Sequence, residues 1–338
     1  MEKKHVVLLF GGKSSEHEVS LLSAANVYEA IDKNSYFVTL IHISKTGAWR
    51  RVGVVTVGTE SDPEVAADIS NGTFVVGADA LVADVVFPVL HGKYGEDGTV
   101  QGMLDLMGVP YVGCGVEASA LCMDKIRTKR LLRQAGIPVV ADAVVDARTK
   151  HEDVAEMARR LGGDMWFVKP SRAGSSVGVS RVTDVADLPG AVDVAMEHDR
   201  EVLIEPAVGM ARELEVAVLG NYPDIHVSGV GEIIPGDAFY SYDDKYSADS
   251  SSTVLTNAHL SPETEARIRD LAGRAYCEMD CRGLSRIDFL LGADGELFLN
   301  EINTMPGFTN ISMYPKLMEH AGYTYPQLVD RLVGLALQ

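Results

Sequence analysis

The chain has 338 residues, of which 46% are hydrophobic and 23% are charged, so it can bury a core and is not globally disordered. Its net charge of −18 argues against nucleic-acid binding, which requires a basic surface. No stretch reaches the ~18 consecutive apolar residues of a membrane span. The N-terminal apolar run is too short for a signal peptide, and the four cysteines lack the spacing of a zinc site. We therefore expect a cytoplasmic protein of two or three domains, without nucleic-acid or membrane partners.

Apolar runs alternate with helical patterns along the chain, which predicts an α/β protein. We expect strands at 5–10, 36–43, 83–90, 165–170, 178–182, 202–205 and 214–219, and helices at 20–32, 119–135 and 325–337. The near-continuous apolar run at 83–90 is typical of a strand that is buried on both faces of a parallel sheet. The economical interpretation is three domains, at 1–115, 116–204 and 205–338.

The segment 285–306 reads SRIDFLLGADGELFLNEINTMP, in which Asp294-Gly295 between two alternating runs predicts a two-residue hairpin turn. Pairing outward from that turn opposes Ala293 to Glu296, Leu290 to Leu299, Asp288 to Glu301, and Arg286 to Asn303. Two opposed carboxylates repel each other, and a divalent cation removes that penalty. Two carboxylates with a neutral amide suit magnesium that is held together with nucleotide phosphates. The alternative is a solvent-facing hairpin with incidental charges, and a one-residue slip would turn these side chains to the other face.

The segment 166–182 reads WFVKPSRAGSSVGVSRV, a strand, a glycine- and serine-rich loop and a second alternating strand. Glycines let backbone N–H groups approach phosphate oxygens, and Lys169 adds positive charge, so we expect a lid over phosphates. The loop also matches the G-x-S-x-G elbow of serine hydrolases, with Ser176 as the nucleophile. That elbow must lead into a helix, whereas VGVSRV alternates like a strand. GGKS at 11–14 is no Walker loop, because Val7 stands where its first glycine is required.

Seven segments together resemble the D-alanine–D-alanine ligases of the ATP-grasp superfamily, in family order and over nearly the whole chain. They are GGKSSEHEVS (11–20), FPVLHGKYGEDGTVQG (87–102), MDK (123–125), KPSRAGSSVG (169–178), YDDKY (242–246), SRID (285–288) and NEINTMPGFTNIS (300–312). The resemblance implies an ATP-grasp fold with three α/β domains, an N-terminal open Rossmann-like parallel sheet, and ATP between the central and C-terminal domains. It implies ATP and two Mg²⁺ ions as cofactors, with Mn²⁺ as a substitute and K⁺ as an activator, and it implies a homodimer.

The same resemblance implies roles for individual residues. The nucleotide would be bound by Lys125, Lys169, Ser176, Glu205, Pro206, Val208, Glu213, Phe239, Lys245 and Asn300. The magnesium ligands would be Asp288, Glu301 and Asn303, in agreement with the hairpin. The amino-acid substrates would be bound by Glu16, His91, Lys245, Arg286, Ser312 and Met313. The catalytic groups would be the oxyanion donors Arg286 and Gly307 and the lid-closing trio Glu16, Ser175 and Tyr246. Taken singly, Glu16 could instead be a helix-start acid, and His91 a structural histidine.

The implied reaction joins two D-alanines through an acyl phosphate, for peptidoglycan precursor synthesis. Met313 favours D-alanine over D-serine as the second substrate, because a buried serine hydroxyl left unpaired beside it costs ~1–3 kcal/mol. The alternatives are a D-alanine–D-serine ligase of the vancomycin-resistance type, a serine hydrolase that acts through Ser176, and a non-catalytic nucleotide-binding protein.

Overall fold

The structure is a computed structural model that describes residues 3–234 and 253–338. Three expected site residues, Phe239, Lys245 and Tyr246, lie outside these ranges. The strands are β1 (Lys4–Gly11), β2 (Tyr36–Ile43), β3 (Trp49–Val52), β4 (Val65–Asp68), β5 (Thr73–Val76), β6 (Asp79–Leu81), β7 (Val85–Val89), β8 (Ala143–Asp146), β9 (Trp166–Pro170), β10 (Ser180–Val182), β11 (Glu201–Pro206), β12 (Arg212–Asn221), β13 (Asp224–Ile234), β14 (Thr253–Leu255), β15 (Gly283–Leu291) and β16 (Leu297–Asn303). The helices are α1 (His17–Ala30), α2 (Thr99–Met107), α3 (Val116–Met123), α4 (Lys125–Gln134), α5 (His151–Leu161), α6 (Leu188–Met196), α7 (Pro262–Glu278), α8 (Met313–His320) and α9 (Tyr325–Ala336).

The N-terminal sheet has the strand order β3-β2-β1-β7. Strand β1 pairs in parallel with β2 and with β7, as the alternation of strands and helices predicts. All five residues of β7 are buried, as expected for a strand covered on both faces. The short strand β3, which the sequence reasoning missed, adds an antiparallel edge beside β2, and β4, β5 and β6 form a separate small sheet. No helix in the described ranges is long and apolar enough to cross a membrane.

The rest of the described chain contains two antiparallel sheets and the helices that pack against them. The first has the order β10-β9-β11-β8, and α5 and α6 pack against it. The second has the order β14-β13-β12-β15-β16, and the apolar side of α7 packs against it. The last helices, α8 and α9, join a buried cluster with α1 and the N-terminal sheet, so the two ends of the chain share one core.

The helix expected at 119–135 is in fact two helices, α3 and α4. They are separated at Asp124, whose backbone is extended (φ −92°, ψ 96°) and whose carboxylate accepts a hydrogen bond from the Arg127 backbone N–H. An aspartate at this position satisfies an amide at the start of α4, which favours a new helix over a continuous one. The break places Lys125 at the first position of α4. The helix expected at 20–32 runs from His17 to Ala30 instead.

The hairpin of β15 and β16 has the two functionally important pairs that the sequence predicts. Asp288 faces Glu301 and Arg286 faces Asn303. The pairs nearer the turn were predicted wrongly: Leu290 faces Phe298, not Leu299, and Ala293 does not face Glu296.

The cause of this error is a longer turn. The Gly292 N–H donates to the Glu296 carbonyl at 2.8 Å, so the loop has three residues with Gly295 at φ +84°, not two. A bulge then leaves Asn300 as an extra residue between the pairs Phe289–Leu299 and Asp288–Glu301. This extra residue restores the register before the carboxylates are reached.

Candidate active site

A cleft of about 780 Å³ lies where the N-terminal sheet, the β8–β11 sheet and the β12–β16 sheet converge. Every expected site residue in the described ranges lines this cleft. They are Glu16, His91, Lys125, Lys169, Ser175, Ser176, Glu205, Pro206, Val208, Glu213, Arg286, Asp288, Asn300, Glu301, Asn303, Gly307, Ser312 and Met313. Residues that are up to 297 positions apart in the chain therefore meet in one place.

A row of three carboxylates crosses the neighbouring strands β12, β15 and β16. Glu215 faces Asp288, which in turn faces Glu301. Arg286 donates to both oxygens of Asp288 at 2.8 and 2.7 Å, and its Nε lies 3.1 Å from Glu215 Oε2. The Asn303 amide also donates to Asp288, at 3.0 Å. Sequence reasoning missed Glu215, although its alternation with Glu213 in RELEV would have placed both on one face of β12.

These charges raise the pKa of the buried Arg286: burial lowers it, but the attraction of Asp288 and Glu215 outweighs burial. The side chains of Asp288, Glu301 and Asn303 fit a magnesium ion. The two carboxylates face each other, and together with the Asn303 amide they offer the oxygen ligands that this ion prefers. No group of three or more His, Cys, Asp or Glu residues within the described ranges is placed to hold a metal by itself. The expected magnesium ligands include only two residues of these four types, Asp288 and Glu301, beside Asn303. The remaining ligands of the ion would come from phosphate and water.

A buried ionic network lies at the other side of the cleft. Glu205 receives Lys169 Nζ on Oε2 at 2.7 Å and Lys129 Nζ on Oε1. Burial would raise the pKa of Glu205, but the two lysines outweigh it and lower the pKa to about 2. Lys129 is only 3% exposed and also lies 3.7 Å from Asp142. Sequence reasoning missed Lys129, whose position four residues after Lys125 puts it one helical turn further along the cleft side of α4.

The start of the glycine- and serine-rich loop 171–179, between β9 and β10, is anchored through Asp124. The Asp124 carboxylate accepts from Ser171 Oγ at 2.7 Å and pairs with Arg172 at 3.2 Å, and the next backbone N–H, that of Lys125, donates to the Ser171 carbonyl at 3.0 Å. Lys125 Nζ lies 3.8 Å from Glu301 Oε2. One aspartate thus connects the start of α4 to the loop, and Lys125 Nζ donates to the Ala173 carbonyl of that loop at 2.7 Å.

The loop itself makes tight turns and then enters strand β10. Ser175 and Ser176 have φ values of +50° and +59°, which residues other than glycine rarely adopt. Because β10 and no helix follows, the strand-to-helix geometry of a nucleophile elbow is absent. The hydrolase interpretation of Ser176 is therefore not supported.

Glu16 is 5% exposed and stands directly before α1. It therefore lies at the positive end of the helix dipole, as a helix-start acid would, but its side chain makes no capping hydrogen bond to the amides of that helix. Its Oε1 accepts a hydrogen bond from Ser175 Oγ, which connects the N-terminal segment to the loop 171–179. Tyr246, the third member of the expected trio, lies outside the described residues.

His91 is held by hydrogen bonds at both ring nitrogens. Nδ1 lies 3.0 Å from the Met305 carbonyl oxygen and Nε2 lies 3.0 Å from Ser23 Oγ. Burial lowers the pKa of His91, and the attraction of Glu16 does not offset this effect. The structural interpretation of this histidine is therefore supported, although the residue also borders the cleft.

Glu96 is a cleft carboxyl group that the sequence reasoning missed. It accepts a hydrogen bond from the Gly92 N–H at 2.7 Å. Burial and the nearby negative charge of Glu16 raise its pKa to about 8. The GKYGEDG stretch around it looks like a turn, and nothing in that pattern indicates that Glu96 points toward Glu16.

Ser312 and Met313 close the cleft at the start of α8. Ser312 Oγ accepts from the Thr309 N–H at 3.1 Å. Met313 is 4% exposed, and a Cβ atom added to Gly231 would lie 2.7 Å from its sulfur. Glycine at 231 therefore makes room for the methionine, which lines the cleft together with Ser312 and Lys316.

Opposed carboxylates, lysines and a glycine-rich loop in one cleft are typical of an α/β enzyme that binds nucleotide phosphates with a divalent cation. Comparison with known proteins makes this class specific. The family model described as D-ala D-ala ligase N-terminus matches residues 5–114, and that described as D-ala D-ala ligase C-terminus matches residues 131–334. The chain belongs to the D-alanine–D-alanine ligase family.

Individual relatives match over nearly their full length. The D-alanine–D-alanine ligase of Thermoanaerobacter sp. is 44% identical over 353 residues, covering 100% of this chain and 98% of the relative. D-alanine–D-alanine ligase A of Escherichia coli is 42% identical over 355 residues, covering 100% and 97%. Among solved structures, the Coxiella burnetii D-alanine-D-alanine ligase matches with a TM-score of 0.90, 35% identity and coverage of 100% and 94%. The VanG D-Ala:D-Ser ligase of Enterococcus faecalis matches with a TM-score of 0.89, 36% identity and coverage of 99% and 100%.

Proposed function

We propose that the protein is an ATP-dependent D-alanine–D-alanine ligase that makes the dipeptide for peptidoglycan precursors. The observation that carries this proposal is the single cleft lined by every expected site residue of the described ranges. Full-length relatives that bear this name support it. The intact Asp288, Glu301 and Asn303 set favours catalysis over simple nucleotide binding, because a protein that only binds nucleotide has little need of it.

We further propose that the reaction has two steps. The carboxylate of the first D-alanine attacks the γ-phosphate of ATP and releases ADP, which gives an acyl phosphate. The amine of the second D-alanine then attacks that carbonyl, loses a proton, and inorganic phosphate leaves. This chemistry requires alignment and charge cancellation and no protein nucleophile.

Different residues of the cleft would bind the phosphates, the metal ion and the first D-alanine. Lys125 and Lys169 bind phosphate oxygens, and Mg²⁺ held by Asp288, Glu301 and Asn303 would neutralise further phosphate charge. Glu16 binds the ammonium group of the first D-alanine, and its contact with Ser175 draws the phosphate loop over the substrates and excludes water.

The other expected residues complete the site. Arg286 and the Gly307 N–H stabilise the oxyanion of the tetrahedral intermediate. Glu205, Pro206, Val208, Glu213 and Asn300 surround the nucleotide, with Ser176 at its phosphates.

D-alanine is the proposed second substrate because Met313 presents an apolar surface beside Ser312, where a serine hydroxyl would lack a partner. A D-alanine–D-serine ligase is the second candidate, since the similarity to the VanG D-Ala:D-Ser ligase is as close as that to the Coxiella enzyme. The shared fold does not distinguish the two, so the distinction depends on the residues at this end of the cleft.

The resemblance also supports finer proposals. They are an ATP-grasp fold with domains at 1–115, 116–204 and 205–338, ATP between the last two, a second Mg²⁺ ion, Mn²⁺ as a substitute, and activation by K⁺. A cytoplasmic location and a homodimer stay predictions.

The test is phosphate release from ATP and Mg²⁺ with D-alanine, with D-serine or with both, followed by identification of the product by mass. The controls are L-alanine and the Asp288→Asn variant. We expect D-alanine-dependent release with D-alanyl-D-alanine as the main product. A main product of D-alanyl-D-serine would overturn the specificity, and release that does not depend on an amino acid would overturn the ligase function.

A further inference from the structure

The segment Met305–Phe308 contains Gly307, which lines the cleft, and side chains from the N-terminal part of the chain hold both ends of this segment. The Phe308 N–H donates to Ser23 Oγ at 3.1 Å. At the other end, the Met305 carbonyl contacts His91 Nδ1 at 3.0 Å, and Ser23 and His91 contact each other at 3.0 Å. Three hydrogen bonds therefore connect the two ends of the four-residue segment Met305–Phe308, which contains Gly307.

The chemistry of these groups fixes every proton in the chain. A carbonyl oxygen can only accept, so His91 Nδ1 carries the hydrogen that the Met305 carbonyl accepts. In a neutral imidazole Nε2 is then an acceptor, and the Ser23 hydroxyl must donate to it. The Ser23 oxygen still has a lone pair, which accepts from the Phe308 N–H. Each hydrogen bond therefore has one direction, and no donor and acceptor can exchange without a hydrogen bond being lost.

Ser23, His91 and the Phe308 N–H are buried, so water cannot replace their hydrogen-bond partners. Ser23 and Phe308 are fully buried and His91 is 4% exposed. The Phe308 carbonyl accepts from Asn26 Nδ2 at 3.2 Å and from the Tyr325 hydroxyl at 2.5 Å, which fixes the following peptide group as well. Removal of the Ser23 hydroxyl would leave a buried amide and a buried imidazole nitrogen unpaired.

We infer that Ser23 and His91 are positioning residues for ligation, which act by fixing the segment Met305–Phe308 and so the direction of the Gly307 N–H. The inference rests on the proposed role of Gly307 as an oxyanion donor. An oxyanion donor contributes only if its N–H already points to the place where charge develops. Ser23 on α1 and His91 in the loop after β7 would hold this N–H in a fixed direction. Both residues lie outside the β12–β16 sheet.

The test is Ser23→Ala, with Ser20→Ala as the matched control. Ser20 is also fully buried on α1, one turn earlier, and its hydroxyl also accepts from a backbone N–H, that of Gly11, at 2.7 Å. It also donates to a backbone carbonyl, that of Val89. The two substitutions thus remove the same atoms from the same helix, but only one of them touches the segment Met305–Phe308.

Two measurements are made on both variants. The first is steady-state ligation, in which Ser23→Ala should lower kcat by roughly 10- to 100-fold while the KM for ATP stays within about 2-fold, because an interaction made only in the transition state acts on kcat. The second is amide hydrogen exchange of peptides that cover 304–312, which should accelerate in Ser23→Ala and not in Ser20→Ala.

The outcomes separate the inference from the proposed function. Faster exchange with an unchanged kcat would overturn the positioning role, and so would equal losses of kcat in the two variants. Unchanged exchange in Ser23→Ala would show that the hydrogen-bond chain does not hold the segment. A wild-type protein without ligase activity would instead overturn the proposed function, while the exchange measurement would still decide whether Ser23 fixes the segment.

Discussion

Replacement of Lys129 by methionine tests how strongly the buried network of Lys129, Lys169 and Glu205 stabilises the fold. Methionine keeps much of the length of lysine and removes its charge, so Glu205 Oε1 loses its partner while Oε2 keeps Lys169. The pKa of Glu205 is about 2 instead of its usual 4.5. At about 1.4 kcal/mol per pKa unit, the net effect of burial and the two lysines is to favour the folded carboxylate by roughly 3 kcal/mol relative to the unfolded one. Because Lys169 remains, we expect Lys129→Met to lower the free energy of unfolding by about 2 kcal/mol.

The matched control is Arg133→Met. Arg133 lies one turn further along α4 and pairs with Asp142 at 2.5 Å, but its side chain is 49% exposed. Asp142 is only 8% exposed and lies 3.7 Å from Lys129 as well, so it keeps one cation in the Arg133 variant, and we expect the half-exposed Arg133 to contribute about 0–1 kcal/mol. Urea unfolding followed by circular dichroism measures both variants. If the two substitutions cost the same within about 0.5 kcal/mol, burial does not strengthen the Lys129 pair and the reasoning is wrong.

The pH dependence of this effect has a definite sign. The pKa of Glu205 is lower in the folded state than in the unfolded state, so its stabilisation is complete above about pH 4.5 and is lost as the pH falls toward about 2. The difference in unfolding free energy between wild type and Lys129→Met should therefore be constant near neutral pH and shrink on acidification below pH 4.5. A difference that grows on acidification would contradict the assignment to Glu205.

Three further substitutions probe other parts of the cleft. Arg286→Ala should lower kcat by ~10²–10³-fold in the ligation assay, since an oxyanion donor is lost; near-normal turnover would exclude that role. Ser175→Ala should raise the KM for D-alanine by roughly 10-fold and leave the KM for ATP unchanged, because it removes the contact with Glu16; equal changes in both constants would contradict this. Glu96 has a pKa raised to about 8 in the folded state, so wild-type stability should fall as the pH rises from about 4.5 to 8. Glu96→Gln should remove that dependence in chemical unfolding at pH 5 and pH 8.5, and an unchanged pH dependence would show that another group causes it.

The hairpin shows how sequence reasoning can place a site correctly through two errors that cancel. Asp294-Gly295 indicates a turn, but a glycine with positive φ fits a two-residue loop and a three-residue loop equally well. The longer loop shifts the pairing by one residue, and the bulge at Asn300 shifts it back, so Asp288 still faces Glu301. Nothing in LFLNEIN marks the bulge. The alternation of side chains was predictable, whereas the two irregularities depend on packing around the cleft.

The residues that sequence reasoning missed share a different property. Glu215, Lys129 and Ser23 are polar and buried, and each has a side-chain partner on an element that is distant in sequence. Glu96 bonds the nearby Gly92, but it lies close to the distant Glu16. Ser23 and Phe308 are 285 positions apart, and Lys129 and Glu205 are 76 apart. A periodic pattern predicts which face a residue occupies within its own strand or helix. It contains no information about which other element covers that face, so such pairs become visible only in the folded chain.

The charges of the cleft explain how an acidic protein with a net charge of −18 can accommodate a polyanion. Arg286 pairs with Asp288, Lys169 with Glu205, and Lys125 lies near Glu301. Phosphates alone would have to compete with these carboxylates for the same cations. A magnesium–nucleotide complex would bring its own cation for Asp288 and Glu301, which would free Arg286 and Lys125 to face the bound anions. The pairing of charges in the cleft thus favours the binding of metal and nucleotide as one complex over the binding of either one alone.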